Sequence, residues 1–216
     1  MKKFNTKEEA IKELRETIIN VLNDENDRSG FSTMLLSGGG TPGPLYMELN
    51  RSYDAFDKTT IGLVDERFVP TNSEHSNERL LRNLISRSDK IVGMVYDQDN
   101  YSENINITRK HYEIFHDKLD VVVLGMGGDG HTASLFPNDP SSDQVMEGNE
   151  IDLFNTNAPS VPTRRITCSK RLLLNAKHVY LLIFGEDKLK VLKNSKLNLP
   201  IHRILEERKD IEIYYA

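Results

Sequence analysis

The feature that most constrains this chain is the stretch Gly125-Met-Gly-Gly-Asp-Gly-His-Thr-Ala-Ser-Leu-Phe-Pro137. An apolar run, Leu119-Asp-Val-Val-Val-Leu124, leads into it and reads as a buried strand. The glycines that follow let the backbone turn sharply and approach a ligand closely. His131 stands at the far lip of the turn, where a neutral imidazole can take a proton from water near neutral pH. Thr132 to Phe136 is expected to form a short helical turn, stopped by Pro137 and Pro140. Together these parts make a compact site for an anionic or carbonyl-bearing small molecule.

Gly125, Gly127 and Gly130 also spell G-x-G-x-x-G, the pattern of dinucleotide-binding turns. Three observations count against that reading. Asp129 puts a carboxylate where a pyrophosphate would sit, and Pro137 cuts the following helix short. No strand ending in an acid follows at the expected distance, because 138–157 is rich in Asp, Asn, Ser and Pro. The expectation is therefore no nicotinamide or flavin cofactor.

A parallel strand of this kind needs helices on both faces, and the rest of the chain alternates accordingly. Thr6 to Asn23 has helical apolar spacing, with Thr6 and Glu9 forming a capping box, and 24–30 reads as a polar loop. Phe31–Leu36 reads as a strand that runs into Ser37-Gly-Gly-Gly-Thr-Pro-Gly-Pro44. Thr41 is the expected helix cap and Pro42 the first helical residue, so that free N–H groups face back over Gly38, Gly39 and Gly40 as an anion site. An ordinary tight turn is the competing reading. The P-loop reading fails, because Pro44 stands where a lysine is required.

Thr60–Val64 is the next expected strand, with Asp65-Glu66-Arg67 at the end where open α/β sheets bind ligands. Arg67 fits either a structural ion pair or a phosphate grip. Ser76–Leu84 reads as a helix, Ile91–Val95 as a short strand and Asn100–Lys118 as a polar helix. His111 and His116 lie five apart, which is not a helical metal spacing. Asn138–Pro162 is expected to be a long polar loop. Arg164–Ser169 and His178–Phe184 read as strands, and Gly185-Glu-Asp-Lys188 opens a helix whose lysine either holds a phosphate or is simply solvated. A helix over Pro200–Glu207 and a strand over Ile211–Tyr215 complete the pattern. Right-handed crossovers bring the glycine turns to one edge, so His131, Gly38–Gly40, Asp65–Arg67 and Lys188 can converge.

The 216 residues suit one domain over 1–216, and 38% hydrophobic with 28% charged residues suits a soluble globular protein. A net charge of −5 disfavours nucleic acid as a partner. With one cysteine, Cys168, neither an internal disulfide nor a cysteine zinc site can form. No run is long and apolar enough to span a membrane, and the start lacks a signal-peptide pattern. The expectations are a cytoplasmic protein with a small-molecule substrate, as a monomer or weak homodimer, with no membrane partner.

Several blocks carry a family likeness. They are Leu36-Ser-Gly-Gly-Gly-Thr-Pro42, Val64-Asp-Glu-Arg-Phe-Val-Pro70 with Ser76-Asn77, the stretch 125–137, Arg165-Ile-Thr167 and Gly185-Glu-Asp-Lys188. On these residues the chain resembles the 6-phosphogluconolactonases of the glucosamine-6-phosphate isomerase/6-phosphogluconolactonase family. The resemblance implies a Rossmann-like three-layer α/β/α sandwich, a mostly parallel sheet with helices on both faces. It implies hydrolysis of 6-phosphoglucono-1,5-lactone, a phosphorylated sugar lactone of the pentose phosphate pathway, without metal or organic cofactor. His131 matches the residue that activates water. The residues themselves leave Asp129 two roles, to orient His131 or to order the turn. Ser37, Gly38, Gly39, Gly40, Thr41, Asp65, Arg67, Gly130, Arg165 and Lys188 are the expected substrate-binding residues. Phe68 departs from the family, many members having a small residue or cysteine there, and the loops around 97–104 are trimmed.

Two rival functions follow from the same blocks. The deaminase and isomerase branch ends its histidine motif in Asn-Glu-Pro, whereas Phe136 precedes Pro137 here. Asp65 nonetheless occupies the place of that branch's proton-abstracting aspartate. The second rival is a sugar-phosphate sensor without catalysis, which would have no need of His131.

Overall fold

A computed structural model describes residues 1–216. The strands are β1 (Lys2–Lys3), β2 (Ser32–Leu36), β3 (Thr59–Leu63), β4 (Asp65–Arg67), β5 (Val121–Leu124), β6 (Leu153–Asn157), β7 (Arg164–Cys168), β8 (His178–Ile183) and β9 (Glu212–Tyr215). The helices are α1 (Lys7–Ser29), α2 (Gly43–Ser52), α3 (Asn77–Leu84), α4 (Tyr101–Asp117), α5 (Pro140–Glu147), α6 (Lys170–Leu174), α7 (Glu186–Lys193) and α8 (Pro200–Glu207).

Six strands form one parallel sheet in the order β1-β9-β8-β5-β2-β3, with the helices around it. This is the expected α/β architecture. β2 and β5 are buried at every residue, as the apolar runs require of strands covered on both faces. The chain leaves β2 toward β3 on one side and β5 toward β8 on the other. β2 and β5 are neighbours, so the connections after them diverge and open a crevice at their C-terminal ends.

A second sheet, which the sequence reading did not contain, has the antiparallel order β4-β7-β6. It grows from the end of β3. Val64 donates its N–H to the Leu36 carbonyl of the large sheet, and its own carbonyl accepts from the Cys168 N–H of the small one. Asp65-Glu66-Arg67 is therefore an edge strand, not a loose strand tip.

Other expectations need correction. The polar stretch 24–30 is not a loop but the last two turns of α1, because its polar groups have partners inside. Glu25 meets Lys177 at 2.6 Å and Lys118 at 3.5 Å. Asn26 donates to the Tyr53 hydroxyl at 2.8 Å, and Gly30 ends the helix at φ 82°. The capping box of Thr6 and Glu9 forms as expected. Thr41 does not cap α2, whose first helical residue is Gly43 with Pro42 before it and no side-chain cap. Ile91–Val95 makes one bridge to Ile61 and no strand, since the Met94 carbonyl is taken by Asn104 Nδ2 and Thr108 Oγ1. The expected loop 138–162 contains α5, capped by Asp139, and β6, whose polar sequence is held as a strand by pairing with β7. Only 158–163 remains as a connection between β6 and β7.

Candidate active site

The crevice is a cleft of about 390 Å³ at the switch point. Its walls include Ser37, Gly38, Gly39, Gly40 and Thr41 after β2, and Gly125, Gly127, Asp129 and His131 after β5. Asp65 and Arg67 of β4, Arg165 of β7 and Lys188 of α7 complete it. Every expected site residue but one thus reaches the same cleft. The exception is Gly130. It holds the turn at φ 81°, and a Cβ there would meet Leu199 Cδ1 at 2.4 Å, so it faces the protein.

The turn after β5 is built to present the imidazole. Gly127 N–H donates to the His131 carbonyl at 2.9 Å, and Gly130 N–H donates to the Gly127 carbonyl at 3.1 Å. The imidazole lies directly over Gly127, where an added Cβ would come within 2.2 Å of its ring atoms. Glycine is the residue that permits this approach. Asp129 Oδ1 is 2.5 Å from His131 Nδ1 and accepts the His131 N–H at 3.2 Å. The hydrogen bond to the imidazole, ahead of the opposing effect of burial, holds the Asp129 carboxyl below its ordinary range. With Nδ1 directed at a carboxylate, Nε2 is the nitrogen left to act on a ligand. The stretch 132–136 is not the expected helical turn. It is a tight turn closed by Leu135 N–H on the Thr132 carbonyl, with Ala133 at φ 52°.

The cations come from elsewhere. Arg67 and Arg165 stand directly opposite each other on β4 and β7, so both side chains rise from one face. Neither is in a salt bridge: Arg67 Nη1 donates to the His75 carbonyl at 2.7 Å and Arg165 Nε to the Pro162 carbonyl at 3.0 Å. The Nε of Arg67 is buried without a partner. Burial and then the neighbouring Arg67 hold the Arg165 guanidinium below its usual range, and burial does the same to the Lys188 ammonium. Like charges directly opposite are unfavourable, and an anion between them relieves that repulsion. The structural ion pair considered for Arg67 is therefore absent. Phe136 lies between the imidazole and the cations, its ring 4.8 Å from the His131 ring and 5.7 Å from the Arg165 guanidinium.

The glycine turn after β2 adds neutral donors. The N–H groups of Gly38, Gly39, Gly40 and Thr41 donate to no acceptor within the protein. The Ser37 hydroxyl is otherwise engaged, donating to the Val123 carbonyl at 2.8 Å and accepting from Gly125 N–H at 3.2 Å. It ties the two strand ends together. Asp65 keeps one carboxylate oxygen on the Ser134 hydroxyl at 2.5 Å.

Asn77 also lines the cleft and was not among the expected site residues. Its Nδ2 donates to the Asp65 carbonyl at 2.9 Å, and its Oδ1 would be 1.9 Å from a Cβ on Gly38. The sequence signals for it were its place beside the helix cap Ser76 and its membership in the Ser76-Asn77 block of the family likeness. Pro159 and Ser160 of the 158–163 connection reach the cleft too, with no periodic signal to mark them.

Comparison with known proteins gives a consistent picture. A family model described as glucosamine-6-phosphate isomerases/6-phosphogluconolactonase matches residues 5–213. A 6-phosphogluconolactonase of Pseudomonas putida is 34% identical over 84% of this chain and 79% of its own length. One from Neisseria meningitidis serogroup B is 28% identical over 96% of this chain and 95% of its own. The crystal structure of a 6-phosphogluconolactonase from Shewanella baltica superimposes with a TM-score of 0.91 at 31% identity, covering 99% of this chain and 96% of that one.

Proposed function

The chain belongs to the glucosamine-6-phosphate isomerase/6-phosphogluconolactonase family, and from that premise we propose that it hydrolyses 6-phospho-D-glucono-1,5-lactone to 6-phospho-D-gluconate. That reaction would place it in the pentose phosphate pathway. One observation carries the reading: a carboxylate-oriented imidazole shares a single small cleft with two opposed guanidiniums and an ammonium.

The proposed chemistry uses the parts as they stand. Arg67, Arg165 and Lys188 hold the phosphate, which fixes the lactone ring and lowers the entropic barrier to attack. His131 Nε2 takes a proton from water as its oxygen attacks the lactone carbonyl carbon. Asp129 holds Nδ1–H and stabilises the imidazolium that forms. Backbone N–H groups of the 38–41 turn are available donors for negative charge. When the tetrahedral intermediate collapses, the ring C–O bond breaks and the imidazolium returns its proton to the departing ring oxygen. The product is a hydroxy acid that ionises. All of these residues belong to one domain over 1–216.

Phe136 favours this reaction over amino-sugar deamination, since it fills the place beside the imidazole where that branch carries a glutamate. The test is a coupled assay with freshly generated lactone, corrected for spontaneous opening. Acceleration over the uncatalysed rate supports the reading. Ammonia release from glucosamine 6-phosphate would move the chain to the deaminase branch. Binding without turnover would make it a sensor.

A further inference from the structure

Ser134 lies three residues beyond His131 and is fully buried. It is bonded to one residue from each strand of the small sheet. Its N–H donates to Thr167 Oγ1 on β7 at 3.2 Å. Its carbonyl accepts from Thr156 Oγ1 on β6 at 2.7 Å. Its hydroxyl donates to Asp65 Oδ2 on β4 at 2.5 Å.

The register makes this arrangement informative. Asp65 is paired with Thr167, and Arg165 is paired with both Arg67 and Thr156. Directly opposed residues on antiparallel strands share a face, as do residues two apart on one strand. The three groups that hold Ser134 therefore stand on the same face as the two guanidiniums. The imidazole turn hangs from β5 of the large sheet, and the guanidiniums rise from the small one. Ser134 is where the two are joined. Between it and His131, Thr132 Oγ1 donates back to the Gly125 carbonyl at 2.8 Å, and Ala133 sits at φ 52°. A non-glycine residue keeps such a conformation only where its surroundings over-determine it.

We infer that Ser134, with Thr156 and Thr167, is a positioning joint that sets the span between the His131 imidazole and the Arg67–Arg165 pair. None of the three is assigned a contact with the reacting atoms. They act through the two elements they connect. When the phosphate is held at one end, the joint fixes how far the base stands from the carbonyl. Misplacement of about 1 Å in such a geometry is worth roughly 10²-fold in rate. The inference rests on the hydrolase reading above.

The test removes the two threonine hydroxyls in one chain, Thr156→Val with Thr167→Val, beside a second chain carrying Thr156→Ser with Thr167→Ser. Turnover of the lactone is compared with competitive inhibition by inorganic phosphate, which probes the cations alone. The valine pair is expected to lower kcat by about 10-fold or more while phosphate inhibition stays within about twofold. The serine pair, which keeps both hydroxyls, is expected to recover most of that turnover. An unchanged kcat in the valine pair overturns the joint. So does a parallel loss of turnover and phosphate inhibition, which marks general structural damage, and so does a serine pair no better than the valine pair. If the valine pair does not fold, Thr156→Val alone must show the same split, and an unaltered kcat there refutes the joint. Wild-type protein that fails to accelerate hydrolysis overturns the hydrolase reading and the joint together. Active wild type with unresponsive variants overturns the joint alone.

Discussion

Replacing Arg165 with methionine tests the phosphate assignment most directly, because the structure separates what it should and should not change. In the unliganded protein Arg165 makes one side-chain hydrogen bond, from Nε to the Pro162 carbonyl at 3.0 Å, and no salt bridge. Methionine keeps an apolar stem near the Phe136 ring. Losing the hydrogen bond costs about 1 kcal/mol, while removing one of two directly opposed cations returns about 0.2–1 kcal/mol. The net change in unliganded stability should stay within about 1 kcal/mol, or roughly 2–4 °C in Tm for a chain of this size. The effect on the ligand is larger. Hydrogen bonds between a guanidinium and a phosphate are worth about 1.5–3 kcal/mol, or roughly 10- to 150-fold in affinity. KM for the phosphorylated lactone should rise by that factor with kcat little changed, the signature of lost uniform binding. The rise in Tm on adding inorganic phosphate should shrink in parallel. Steady-state kinetics on fresh lactone and thermal unfolding with and without phosphate give both numbers. An unchanged KM together with a Tm lowered by about 8 °C or more would return Arg165 to a purely structural role.

Three further outcomes follow from the same geometry. His131→Ala should cut turnover by about 10²-fold or more and leave phosphate inhibition intact, and near-normal turnover would remove His131 from the base role. Gly127→Ala places a Cβ 2.2 Å from the imidazole and 2.6 Å from Asp129 Oδ1. Both side chains are partly exposed and can swing aside, so kcat should fall about 10-fold with little change in Tm, and an unaffected kcat would show that the Asp129–His131 alignment is dispensable. Burial lowers the affinity of Lys188 for its proton, so the unliganded ammonium discharges at a lower pH than a free lysine does. A bound phosphate favours the charged form. Phosphate binding at alkaline pH should therefore take up protons, measurable by calorimetry in buffers of different ionisation enthalpy, and this uptake should vanish in Lys188→Arg.

What the sequence revealed follows from the range of the interactions concerned. Five strands of the large sheet were legible because their apolar residues are closed by a glycine or polar turn, and both signals are local; β1, the exposed pair Lys2–Lys3, carries no such signal and is a strand only through its pairing with β9. The convergence of Gly38–Gly40, His131 and Lys188 was legible for a related reason: parallel strands with right-handed crossovers place all such turns at one edge. Of the small sheet only β7 was legible, as the strand read over Arg164–Ser169; its pairing with β4 and β6 was not. β6 reads Leu-Phe-Asn-Thr-Asn, and its strand character comes from pairing with β7, with Arg109 Nη2 donating to the Leu153 carbonyl at 3.0 Å. The last turns of α1 were lost for the same reason, since Glu25 is held by lysines 93 and 152 residues away. Gly130 was misplaced because a positive φ serves equally at a ligand and against a leucine.

The short strand β4 shows why three consecutive charged residues can have unlike roles. In a strand, side chains alternate between faces, so Asp65 and Arg67 point one way and Glu66 the other. The outward pair faces the cleft. Glu66 is turned to the start of α3, where its carboxylate accepts from the N–H groups of Arg67, Asn77 and Glu78 and from the Ser76 hydroxyl, at 2.6–3.0 Å. Burial pushes its carboxyl up, to about 7, and those four donors work against that rise. The same contacts hold α3 where Asn77 can reach under Gly38. A slip of one residue in the β4–β7 register would exchange the faces, leaving α3 without its anchor and a carboxylate where the guanidinium stands. The pairing of Arg67 with Arg165 is thus fixed by the opposite face of the strand, through the helix that Glu66 holds. Substitution at Glu66 should accordingly weaken phosphate binding without touching the cleft.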